Sequence, residues 1–99
     1  MKINKTKDGN SLTIAVEGRL DTLAAPKFEE EVMKSIGDIT DLTFDLEKLE
    51  YVSSSGLRVF LKAQKTMEGQ QGTMVLQNVG DSIHQILDVT GFTNILNIE

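Results

Sequence analysis

The hydrophobic period of this chain changes back and forth between two and about four residues, and only an alternation of strands and helices accommodates that. Leu12, Ile14 and Val16 are spaced by two; Phe28, Val32 and Ile36 by four; Leu42, Phe44 and Leu46 by two again. Leu57, Phe60, Leu61 and Met67 then recur on one side of a helix, Met74 and Leu76 alternate within a strand over Thr73–Gln77, and Ile83, Ile86 and Leu87 are helical. Turn and cap residues bound each segment. Asp8-Gly9-Asn10 reads as a hairpin turn between a weak strand around Ile3 and the strong run Leu12–Glu17, because Asp-Gly supplies the positive φ such a turn needs. Gly18 is expected to end that run. Asp21 and Thr22 open the first helix, Pro26 sits in its first turn where a missing N–H is harmless, and Gly37 is the expected C-cap. Leu49, Tyr51 and Val52 continue an extended path after the third strand, and Ser53-Ser54-Ser55-Gly56 leads into the second helix, which Gly69 and Gly72 end. Asp81 or Ser82 caps the third helix and Gly91 stops it. Ile95, Leu96 and Ile98 close the chain as a strand or a helix end.

The order is therefore β-β-α-β-α-β-α-(β). Alternating strands and helices require right-handed crossovers and parallel pairing, while the opening hairpin makes the sheet of four to five strands mixed. Clean alternation in two strands predicts helices mainly on one face and a partly solvated second face. Leu12, Ile14, Val16, Phe28, Val32, Leu42, Phe44, Leu57, Phe60, Leu61 and Ile86 are expected to share one core. At 99 residues, with no internal repeat or linker, residues 1–99 are expected to form a single α/β domain. A chain of this length buries roughly 65% of its unfolded surface, enough for one modest core.

A net charge of −5 disfavours direct nucleic-acid binding and anionic membranes, since the basic residues are scattered singly between acids. The absence of cysteine removes disulfides, thiolate catalysis and Cys-based zinc sites, and points to the interior of a cell. Met1-Lys2-Ile3-Asn4-Lys5 does not read as a signal peptide, and no apolar run approaches the ~20 residues of a membrane span.

The enzyme templates find little to match. His84, the single histidine, lies between Ile83 and Ile86 in a helix and reads as a surface or boundary residue. Glu29, Glu30 and Glu31 point in different directions from one helix, so they read, with Lys34, as a solvated face and not a metal site. The glycines make neither a dinucleotide fingerprint nor a phosphate loop. No cofactor and no metal is expected. The informative segment is Tyr51-Val52-Ser53-Ser54-Ser55-Gly56-Leu57-Arg58. Three hydroxyls at a helix start can cap the free N–H groups. The same N–H groups and the helix dipole also favour a phosphate, which adds about −1.5 to −2 charges to a serine. The two readings are compatible, because one serine can cap while its neighbour faces out.

The segments Glu17-Gly18-Arg19-Leu20-Asp21-Thr22, Phe44-Asp45-Leu46 through Leu49, Tyr51-Val52-Ser53-Ser54-Ser55-Gly56-Leu57 and Val89-Thr90-Gly91-Phe92 resemble the anti-sigma factor antagonists of the STAS domain group, in the family's order and along nearly the whole chain. The resemblance implies a non-enzymatic cytoplasmic regulator in a partner-switching circuit. Its partner would be an anti-sigma factor that is also a serine kinase of ATPase-like fold. The unphosphorylated antagonist captures that kinase and frees the sigma factor; phosphorylation at the start of the second helix breaks the complex, and a phosphoserine phosphatase resets it. The family pattern there is Asp-Ser-Ser/Thr-Gly. Laid on this chain, Ser53 takes the Asp position, Ser54 the phosphorylated serine and Ser55 the next hydroxyl. Ser53 is a departure, and it leaves Ser53 and Ser55 as alternates to Ser54. The implied partner-binding residues are Asp21, Thr22, Ser53, Ser54, Ser55, Gly56 and Arg58, with Asp21 readable equally as a helix cap. Three rivals stand beside this reading: a cytosolic STAS accessory subunit of a lipid-transport complex, a diverged STAS binding module that is never phosphorylated, and a small nucleotide hydrolase.

Overall fold

The computed structural model describes residues 1–99. The chain opens with an antiparallel hairpin of β1 (Lys2–Asp8) and β2 (Ser11–Leu20), turned at Gly9 with φ 63°. β3 (Asp41–Asp45) pairs parallel with β2, and β5 (Thr73–Gln77) pairs parallel with β3, giving the order β1-β2-β3-β5. β4 (Leu49–Val52) pairs parallel with only the last residues of β2. Of the three helices, α1 (Ala25–Met33) and α2 (Ser54–Gly69) make the crossovers between strands, and α3 (Asp81–Val89) follows β5.

Alternation puts Leu12, Ile14, Val16, Leu42, Phe44, Met74 and Leu76 on the helix-covered face, all of them buried. Thr13, Ala15, Thr43 and Val75 on the opposite face are half-buried. Phe60 of α2 meets Phe28 of α1 and Phe44 of β3 edge to face, and Phe28 and Phe44 are tilted against each other, with ring centroids 4.9–5.9 Å apart across the three pairs. They stand within a continuous cluster of 23 buried residues that also takes in Ile83 and Leu87 of α3. The expected core holds with two changes. Leu61 is half-buried, since it follows Phe60 by about 100° around the helix and so leaves the inner stripe. Ile86 is half-buried and packs against the cluster from outside.

The order is β-β-α-β-β-α-β-α: the extended path over Leu49–Val52 is a strand of its own, paired with β2, and after α3 there is a single bridge and no further strand. Several boundaries also differ from expectation. Gly18 does not end β2: at φ 88° it forms a bulge, the register shifts between Gly18 and Arg19, and the strand runs on to Leu20 beside β4. α1 begins at Ala25, because Asp21 and Thr22 belong to a turn before it. α1 also ends before Gly37. The Ser35 N–H donates to the Val32 carbonyl in a tightened last turn, and the Ser35 hydroxyl donates to the Glu31 carbonyl. Neither Asp81 nor Ser82 caps α3; Gly80 is its N-cap and Asp81 lies in its first turn. Gly91 does stop α3, at φ 81°. The closing segment is a short 3-10 turn at Phe92–Asn94, followed by one parallel bridge from Ile98 to Leu76.

β1 is an edge strand with only Ile3 packed against the core. Lys5 and Lys7, opposite Ile14 and Leu12, share its inner face and reach α1 and the turn after it. Lys5 donates to Glu31 at 3.0 Å and Lys7 to Asp38 at 3.1 Å. Glu31 is thus half-buried beneath Lys5 and Lys34 and is not on a solvated face. Hydrogen bonds from Lys34 and then Lys5 hold its carboxyl down from the usual 4.5 to about 2. No helix is long and apolar enough to cross a membrane.

Candidate functional site

β2 and β4 run in the same direction and end together, with Leu20 opposite Val52. In parallel sheets the space beyond such carboxyl ends is where ligands and partners are met. The Gly18 bulge is what carries β2 far enough to share that end. The Ser53 N–H donates to the Leu20 carbonyl at 2.8 Å, tying the start of α2 to the exit of β2. Arg19 lies over the Tyr51 ring, 4.5 Å from its centroid, and fastens the two strands across their outer side.

The three serines have different surroundings. Ser53 is 6% exposed, with extended backbone at φ −86° and ψ 169°. Its Oγ accepts the Gly56 N–H at 3.1 Å and its carbonyl accepts the Leu57 N–H, so Ser53 is the N-cap of α2. Ser54 is the first residue of the helix; it is exposed and its hydroxyl takes part in no hydrogen bond. Ser55 is half-buried. Gly56 is buried against the sheet: a Cβ there would stand 2.8 Å from Leu20 Cγ and 2.9 Å from Val52 Cγ2. Only glycine lets the first turn of α2 lie this close to the ends of β2 and β4.

From the other strand end, Asp21 is half-buried and its Oδ1 accepts the Ala24 N–H at 2.9 Å. It organises the turn that leads into α1. Thr22 and Leu23 project from that turn, Leu23 with 90% of its surface exposed. α1 and α2 start side by side. A shallow groove between them is lined by Thr22, Ala25, Pro26 and Glu29 on one bank and Ser55, Arg58 and Val59 on the other. The structure therefore brings Thr22, Ser55 and Arg58 to one surface. Asp21 and Ser53 are turned inward as structural acceptors, Gly56 lies beneath, and Ser54 occupies the neighbouring outer side of α2.

Two features escaped the sequence reading. Leu23 is out of step with the Phe28–Val32 stripe, a signal that it faces outward. Arg19 and Tyr51 meet only because the bulge shifts the register, which no local pattern shows. A third correction concerns charge. Arg58, Lys62 and Lys65 are separated in sequence but fall on one side of α2, so the basic residues are not all scattered. His84 pairs with Asp88 one turn on, at 3.2 Å, and shares no hydrogen bond with a serine. No group of three His, Asp or Glu side chains converges in a metal-holding arrangement.

The sequence pattern of the STAS domain matches residues 2–99. The anti-sigma-B factor antagonist of Listeria monocytogenes is 30% identical over 96 residues, covering 96% of this chain and 84% of the relative. The anti-sigma-B factor antagonist of Bacillus subtilis is 26% identical over 98 residues, covering 99% and 90%. Among solved structures, the unphosphorylated anti-sigma factor antagonist SpoIIAA aligns with a TM-score of 0.78 at 19% identity, over 99% of this chain and 87% of that one. The phosphorylated form of SpoIIAA, described as a Bacillus cell fate determinant, aligns with a TM-score of 0.77. These structural likenesses speak to the fold, and the sequence relatives speak to the lineage. The chain belongs to the STAS domain family, among its anti-sigma factor antagonists.

Proposed function

We propose that this chain is the antagonist of a cytoplasmic partner-switching circuit, in which Ser54 is the switch. Unphosphorylated, it binds an anti-sigma factor that is also a serine kinase of ATPase-like fold, and the sigma factor is released. Phosphorylation of Ser54 by that kinase breaks the complex, and a phosphoserine phosphatase restores it. The observation that carries this reading is the division of labour among the serines: Ser53 is buried as the cap, whereas the exposed Ser54 hydroxyl has no structural task. Ser53 standing in the family's Asp position fits the same picture, since serine and aspartate cap helices about equally well.

The switch acts on the surface and not on the fold. The first N–H groups of α2 and its dipole tolerate a phosphate, so nothing has to rearrange. In the complex, a small hydroxyl becomes a bulky dianion that must be desolvated against the partner. A buried unpaired charge costs several kcal/mol, and each ~1.4 kcal/mol is tenfold in affinity. Kinase binding should therefore weaken about a hundredfold or more. Peptide mapping after incubation with the kinase of the same genome and ATP should find phosphate on Ser54. Titration calorimetry should show Ser54→Ala binding like wild type and Ser54→Asp losing much of the affinity, with unchanged circular dichroism. Phosphate confined to Ser53 or Ser55, or equal affinities for all three proteins, would refute the assignment.

A further inference from the structure

We propose that the outer face of α2 is an electrostatic docking strip for an acidic surface of the kinase partner, with Ser54 at its head. This rests on the partner-switching reading and names the chemistry that the partner must present. Ser54, Arg58, Leu61 and Lys65 follow one another at spacings of four, three and four, which places them in one line along a helix. Lys62 flanks the line, and Arg58, Leu61, Lys62 and Lys65 line one continuous surface depression. Arg58 also lines the groove beside Thr22 and Ser55, so the strip is continuous with the switch site.

Two of the three cations on this strip have no ion pair. Lys62 reaches Glu29 at 3.3 Å, whereas neither Arg58 nor Lys65 has a salt-bridge partner. Glu68, one turn beyond Lys65, forms no ion pair with it. Lys2, Arg19 and Lys48 are also without salt bridges, but Arg58 and Lys65 stand together on one helix face. Half-buried Leu61 supplies apolar contact area at its centre. An acidic protein surface fits this pattern better than a nucleic acid or an anionic membrane, because a narrow strip on an acidic domain can pair with discrete carboxylates but is outweighed by repulsion from an extended polyanion.

The strip also explains how one phosphate could have a large effect. Ser54 is a helical turn from Arg58, so phosphorylation adds a dianion beside the first cation of the strip. That dianion repels the incoming carboxylates, which the neutral hydroxyl did not.

Calorimetric titration of the kinase with wild type, Arg58→Glu, Lys65→Glu and the double variant tests this, with Lys2→Glu on β1 as the control. Each reversal on α2 should weaken binding about tenfold or more, Lys2→Glu should leave it unchanged, and added salt should weaken wild type more than the double variant. Arg58→Gln and Lys65→Gln should show the same direction and remain informative if a reversal perturbs the helix, which circular dichroism reports. Wild type binding the kinase while the double variant binds within about twofold would overturn the strip alone; wild type failing to bind would overturn the partner-switching reading and the strip with it. Co-sedimentation with phosphatidylserine vesicles that Arg58→Glu abolishes, without any loss of kinase affinity, would reassign the strip to lipid and overturn the proposal.

Discussion

Ser53 and Ser54 are adjacent and chemically identical. The extended backbone of Ser53 aims its Oγ back at the Gly56 N–H, whereas Ser54 is already helical and its side chain leaves on the outer side. The cap bond is one that alanine cannot make and aspartate can. Ser53→Ala should therefore lower unfolding stability by about 1 kcal/mol, while Ser53→Asp should stay within about 0.5 kcal/mol of wild type. Urea denaturation of the three proteins measures this, and an alanine variant as stable as the aspartate one would show that Ser53 does not cap. The glycine that follows is explained at the same scale. Gly56 is present because Leu20 and Val52 occupy the space a Cβ would need.

At the scale of elements, α1 has a weak start and a charged fastening. Its N-cap, Ala24, offers no side-chain acceptor, and the turn before it depends on Asp21. Along its flank Glu31 receives Lys5 from β1 and Lys34 from the turn beyond the helix, at 3.0 and 2.7 Å. This joins the edge strand to the helix layer where the inner face of β1 has only Ile3 to bury. The folded chain holds Glu31 ionised well below its ordinary range. The stability it contributes is therefore complete above about pH 4.5 and is lost as pH falls towards 2. Thermal midpoints across that window should fall more steeply for wild type than for Glu31→Gln. Parallel curves would show that Glu31 is not a source of the acid sensitivity.

For the molecule as a whole, the contacts among Phe28, Phe44 and Phe60 matter because they join α1, β3 and α2 in one place. Each ring is at most 1% exposed. Phe44→Ala should cost about 3–5 kcal/mol, a large share of the ~5–15 kcal/mol by which such domains are stable. The loss should be shared by the whole domain. Tyr51 is the single tyrosine and there is no tryptophan, so its fluorescence reports β4 and the start of α2 beside it. In both proteins its transition in urea should coincide with that of far-ultraviolet circular dichroism. A tyrosine transition that precedes the helical one would show that the site end of the sheet unfolds separately.

Period and punctuation in the sequence determined the alternation of strands and helices, the mixed sheet, the helix-covered face and most of the core, because burial of one face imposes spacings of two or about four on any chain that folds this way; they did not separate β4 from β3 as a strand of its own. The Ser-Ser-Ser-Gly segment marked the capped start of α2 and its close approach to the sheet for the same local reason: caps and close approaches are written in a few adjacent residues. What only the tertiary structure decided depends on contacts between distant segments. The Gly18 bulge extends β2 to meet β4, and from that follow the Arg19–Tyr51 contact and the shared strand end on which Asp21 and Ser53 converge. Glu31 looked solvated until β1 brought Lys5 to it. Arg58, Lys62 and Lys65 looked scattered until a helix put them on one side. Local pattern reports which side of an element is buried; what stands opposite that element is set by register and crossover, which no single stretch of sequence contains.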